Sequence, residues 1–78
     1  MQPLPPRDLV RLRQMRDAAN KAIAYTQGYQ RPVLDADEMR ALALVRLVEI
    51  VGEAARAVST TTQGRYAHIP WRLIHWYS

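Results

Sequence analysis

The stretch Ala41–Val58, ALALVRLVEIVGEAARAV, leaves this chain few ways to fold. It is the longest run with unbroken helical character and no proline. At about 100° per residue, Arg46, Glu49, Glu53 and Arg56 gather in one narrow wedge. Ile50, Ala43, Ala54, Leu47, Val58, Val51, Leu44, Ala55 and Val48 fill most of the remaining circumference. A helix with so wide an apolar arc cannot lie on a surface with one face wet. It needs cover on several sides, as the central helix of a bundle or at a subunit interface. The charged wedge recurs along its whole length, which rules out a membrane span for it.

A chain of 78 residues makes one small domain, expected here to span 1–78, and offers little with which to cover such a helix. Domains of this size are marginal unless they oligomerise or bind metal. Without cysteine, disulfides and thiolate metal sites are excluded. The expected remedy is a homodimer or higher oligomer with Leu44, Leu47, Val48 and Val51 largely buried. The N-terminus, MQPLPPRDLVRLRQ, has prolines and charges where a secretory signal would be apolar, so a cytoplasmic protein is expected.

On either side of the central helix the punctuation is clear. Met1–Pro6 reads as a proline-rich lead-in. A first helix runs from about Arg7 to Gln27, with Leu9, Leu12, Met15, Ala19, Ala22, Ile23 and Thr26 as its apolar stripe. Arg11, Arg13, Asp17, Asn20 and Lys21 fall outside that stripe, and Gly28 suits the left-handed residue that ends a helix. Asp35 and Glu38 have capping-box spacing, which starts the second helix at about Ala36 and carries it to Val58. The short connection makes the two helices antiparallel neighbours. Gly52, inside the second helix, marks the close approach of another helix. Ser59–Gly64, STTTQG, reads as a breaker, and a short third helix runs from Pro70 to the terminus. The expected fold is all-α: a small antiparallel bundle of two long helices and a short C-terminal one, completed by dimerisation.

Eleven lysines and arginines against seven acidic residues give a net charge of +4 and a pI near 10.1. Ten of the eleven are arginine, whose planar fork suits bidentate contacts to carboxylate or phosphate. The excess permits nucleic-acid binding, while the arginines at 7, 11, 13 and 16 read first as a solvated helix face and second as a nucleic-acid site. Neither a glycine-rich phosphate loop nor a metal-ligand cluster is present, and His68 and His75 straddle a proline. Glu49 and Glu53 have the spacing of a carboxylate pair, but Arg46 and Arg56 beside them favour an ion-pair ladder. Trp71, Trp76 and Tyr77 read first as core or interface anchors and second as stacking platforms for bases.

Three segments taken together resemble the HepT-like branch of the HEPN superfamily. They are LVRLVEIVGEAARAVS at 44–59, IPWR at 69–72 and RLIHWY at 72–77, with MRDAANKAIAYTQGY upstream matching the family's first helix in pattern. The resemblance covers about Arg7 to Tyr77. It implies an all-α dimeric bundle, metal-independent cleavage of RNA without a cofactor, and a toxin role beside an MNT-type nucleotidyltransferase antitoxin. The family's motif is an arginine, four to six residues, then histidine, with a tyrosine two residues later that the partner can adenylate. On this chain the histidine maps to His75 and the tyrosine to Tyr77. The arginine is the departure. Arg72 ends IPWR and begins RLIH, so only Leu73 and Ile74 separate it from His75. An Arg-Asn pair and roughly two helical turns of the family pattern are missing there, as is a further C-terminal helix.

Spacing matters because cleaving RNA without metal needs a proton carrier, which histidine supplies near neutrality, and a cation fixed on the phosphate. At a separation of three, Arg72 and His75 still share a helix face, and they form the expected catalytic pair. The resemblance thus leads to a toxin-type protein whose ribonuclease activity is weakened or lost, or to an inactive dimeric module that binds a nucleotidyltransferase or nucleic acid.

Overall fold

The computed structural model describes residues 3–28, 30, 32 and 36–76, the last two by backbone alone. The described residues are all-helical, with four helices of which two are long. Helix α1 spans Pro6–Thr26, α2 Glu38–Ala57, α3 Thr60–Arg65 and α4 Trp71–Trp76. Among the described residues no helix is long and apolar enough to cross a membrane.

Local chemistry accounts for each boundary. Pro6 sits in the first turn of α1, where its missing N–H has no intrahelical partner to lose. Gly28, with φ of 80°, takes the left-handed conformation just beyond the helix. Helix α2 begins two residues later than the Asp35–Glu38 spacing predicts; Asp35 itself lies outside the described residues. Its cap is Asp37, whose Oδ1 accepts from the Arg40 backbone N–H at 3.0 Å while Oδ2 faces the Arg40 guanidinium at 3.3 Å. Asp37 thus both caps the helix and meets an arginine one turn on.

The STTTQG segment is a helix rather than a breaker. Ser59 caps it, its Oγ accepting the Thr62 N–H at 3.3 Å. Hydroxyl residues are poor in helix interiors because they compete for backbone groups, and at an N-cap that same competition starts a helix. The described residues therefore contain one short helix that the sequence reading does not count.

Helices α1 and α2 run antiparallel, as the chemistry at their two ends shows. At one end Asp8 meets Ser59. At the other the Arg40 guanidinium donates to the Tyr25 carbonyl at 2.8 Å and stands 5.7 Å from the Tyr25 ring centroid. A cation at the C-terminal end of α1 satisfies one of its last carbonyls and complements the helix dipole.

Among the small residues, Ala18 on α1 and Gly52, Ala54 and Ala55 on α2 are all buried. Gly52, where the sequence reading expects another helix to approach, is buried. On α1 five members of the expected stripe, Leu12, Met15, Ala19, Ala22 and Thr26, are partly buried, and Leu12 and Met15 pack against the core. Asp8 and Ala18 are the buried residues of α1, while Leu9 and Ile23 stay exposed. On α2, Leu47 is buried, Leu44 and Val51 are partly buried, and Val48 retains half its surface.

Trp71 packs with Ala55 and Val58 to close the lower end of the core, with Leu12, Met15, Ile69 and Ile74 around it. The result is elongated, 46 × 20 × 18 Å, with a radius of gyration of 14.3 Å. A compact chain of this length would have about 11.5 Å. Its accessible surface is 6121 Å², against about 4,900 Å² for a compact monomer of its mass.

Candidate functional site

The IPW turn builds the platform for the candidate pair. Ile69 N–H bonds to the Tyr66 carbonyl at 3.0 Å and Ile74 N–H to the Pro70 carbonyl at 3.1 Å. Pro70 thus supplies an acceptor at the start of α4 without wasting a donor. The indole of Trp71 turns inward, and its Nε1–H donates to the Tyr66 carbonyl at 3.1 Å. Burial of a large aromatic with its one polar atom satisfied locks the azimuth of α4. Arg72 is consequently exposed, at the edge of a depression shared with Gln63, Ala67 and Pro70.

Arg72 and His75 lie on the same six-residue helix, three positions apart, a rise of about 4.5 Å along the axis. The His75 side chain and the whole of Tyr77 lie outside the described residues. Between the pair, Leu73 and Ile74 line an apolar groove with Ala19, Ile23, Val48 and Val51. Ile23 is 62 %, Val48 50 % and Leu73 60 % exposed. The residues separating the candidate pair therefore form part of an uncovered apolar face.

A second centre, not foreseen from the sequence, holds Asp8. Its Oδ1 accepts the Ser59 backbone N–H at 3.0 Å; its Oδ2 accepts the Ser59 hydroxyl at 2.6 Å and the Thr62 hydroxyl at 2.5 Å. Thr62 is 1 % exposed. The Ser59 hydroxyl, then that of Thr62, then the Ser59 N–H hold the Asp8 carboxyl below the usual carboxylate range; burial opposes them, and the Arg7 charge adds to the lowering. The signal available in the sequence was the S-x-x-T spacing at 59–62, which suits a helix cap, set opposite an acid in the first turn of α1.

The carboxylates at 49 and 53 are both reached by Arg46, at 3.3 and 3.4 Å, so this part of the wedge is a surface ion-pair cluster. Among the described residues no three His, Asp or Glu side chains gather where a metal could be held. The chain has no significant match among family models, curated protein sequences or solved structures.

Proposed function

We propose that this chain is a HepT-like HEPN protein of toxin type in which RNA cleavage is weak or absent and association is the working role. Its partners in this reading are a second copy of itself and an MNT-type nucleotidyltransferase, in the cytoplasm. The observation that carries it is the apolar groove between α1, α2 and α4, which runs up to Leu73 and Ile74 between Arg72 and His75. Association through this groove would place the candidate pair at the edge of the interface. The surplus of accessible surface over a compact monomer, about 1,200 Å² by the size scaling, exceeds the roughly 800 Å² one partner contributes to a standard interface and lies in the range of obligate homodimers.

The chemistry favours binding over cleavage. A metal-free ribonuclease must hold a proton carrier and a phosphate-binding cation at opposite sides of one scissile bond. With two intervening residues, both positions belong to one turn of a six-residue helix. Tyr77 is the residue this reading offers for modification by the nucleotidyltransferase.

The test compares three chains: this one, its His75→Ala variant, and one with an Arg-Asn-containing segment restored between Trp71 and Arg72. Weak or absent RNA cleavage is expected in the first two, and association with the nucleotidyltransferase in all three. If this chain cleaves RNA as fast as the restored one, and His75→Ala abolishes it, the protein is a working ribonuclease. Sedimentation as a monomer, with unfolding independent of concentration, would remove the self-association.

A further inference from the structure

We propose that the polar groove between α1 and α2 binds the phosphodiester backbone of a single-stranded nucleic acid. It lies across the helix seam from the apolar groove and does not depend on self-association through that face.

Charge distribution is the first argument. Helix α1 carries five cations and two carboxylates, which accounts for three of the chain's four net positive charges. Helix α2 is neutral, with three of each sign. The basic character of the protein is thus concentrated on one helix. Arg7, Arg11, Gln14, Ala18 and Lys21 follow one another at steps of three and four, so they form a single line along α1. Arg11, Gln14 and Lys21 of this line border the groove together with Arg46 of α2, and Ala18 and Ala54 line it between them.

The pairing of charges is the second argument. The groove also contains Asp17 and Glu53, but each is held by an arginine: Asp17 by Arg16 at 3.1 Å and Glu53 by Arg46 at 3.4 Å. Among the described residues no carboxylate forms an ion pair with Arg11 or Lys21. Arg11 donates only to the Gln14 side-chain carbonyl, at 3.2 Å, an exposed neutral partner that an anion can displace.

Geometry then selects the ligand class. Arg11 and Lys21 are ten residues apart, about 15 Å along the helix axis. A single phosphate cannot touch both, whereas a chain of phosphates can. Cations spaced along a groove with an apolar floor track a backbone and read no base. RNA and DNA strands of equal length should therefore bind alike.

The full chain is titrated into a fluorescent twelve-nucleotide oligouridylate, the corresponding oligodeoxythymidylate, and inorganic polyphosphate of similar charge. Arg11→Ala/Lys21→Ala is expected to weaken strand binding about tenfold at low salt and to reduce the slope of log K against log salt by about 1.4. Arg13→Ala/Arg65→Ala removes the same charge elsewhere and should change affinity less than about threefold, which separates a groove from net charge. Arg11→Lys/Lys21→Arg should bind like the parent, and helical content confirms that every variant is folded. Equal weakening by both alanine pairs, no binding of either strand at low salt, or a more than tenfold preference for RNA over DNA would each overturn the proposal. So would polyphosphate binding that the groove variant leaves intact while strand binding is lost.

Discussion

The carboxylate of Asp8 and the hydroxyl of Thr62, fifty-four residues apart, meet at 2.5 Å in a buried contact. Ser59 completes the arrangement from its backbone N–H and its hydroxyl. One side chain in the first turn of α1 thereby ties down the corner where α2 passes into α3. Thr62→Val should keep the volume and remove one donor, destabilising the fold; Asp8→Ala should cost more, since Ser59 and Thr62 both lose their acceptor. Chemical denaturation of the two single variants and the double should give an interaction energy far from zero, because the pair acts as one unit.

The same contact sets a pH dependence. The Asp8 carboxyl lies below its ordinary value when folded. Its contribution to stability is therefore present above the unfolded carboxylate pKa of about 4 and is lost as pH falls through the lower, folded value. Asp8→Asn should flatten that acid limb. The gap in denaturation midpoint between parent and variant should be widest near neutrality and close in strong acid; a gap that widens in acid would contradict the sign.

Trp71 should be the most sensitive position of the C-terminal segment. It is buried against Ala55 and Val58, and Trp71→Ala should cost about 3–5 kcal/mol. Trp71→Phe keeps the packing but leaves the Tyr66 carbonyl without its indole donor, and should cost about 1 kcal/mol or somewhat more. Thermal melts followed by circular dichroism check the order of the two.

Arg40 joins the far end of the hairpin through the Tyr25 carbonyl and the Asp37 carboxylate. Arg40→Met retains the stem and removes these donors. A loss of about 1–2 kcal/mol is expected, with faster amide exchange in the last turn of α1 and the first of α2 and little change around Asp8.

Val48 distinguishes a face that is merely exposed from one that is used. With half its surface in solvent, Val48→Asp should cost a lone chain under about 0.5 kcal/mol. In an assembly sealed by the apolar groove it buries a charge and should dissociate the complex. Sedimentation equilibrium of parent and variant at matched concentration shows which; an identical mass for both would place Val48 outside any interface.

Elements whose signals are local could be read from the residues alone. The span of the central helix, the glycine that ends α1, the antiparallel return and the inward tryptophan after IPW all rest on spacing within a few residues. So does the wedge of charge on α2, where Arg46 meets Glu49 and Glu53 as their positions imply. Only the tertiary structure decided how the helices are turned against one another. On α1 Asp8 and Ala18 are buried, while Leu9 and Ile23, at the edge of the apolar stripe, stay exposed. Hydropathy along one helix does not say which members of its stripe the neighbouring helices reach. The hydroxyls of STTTQG were open to the same ambiguity. In isolation they compete with the backbone and read as a breaker; opposite a buried carboxylate from the other end of the chain, they become a cap and a clamp.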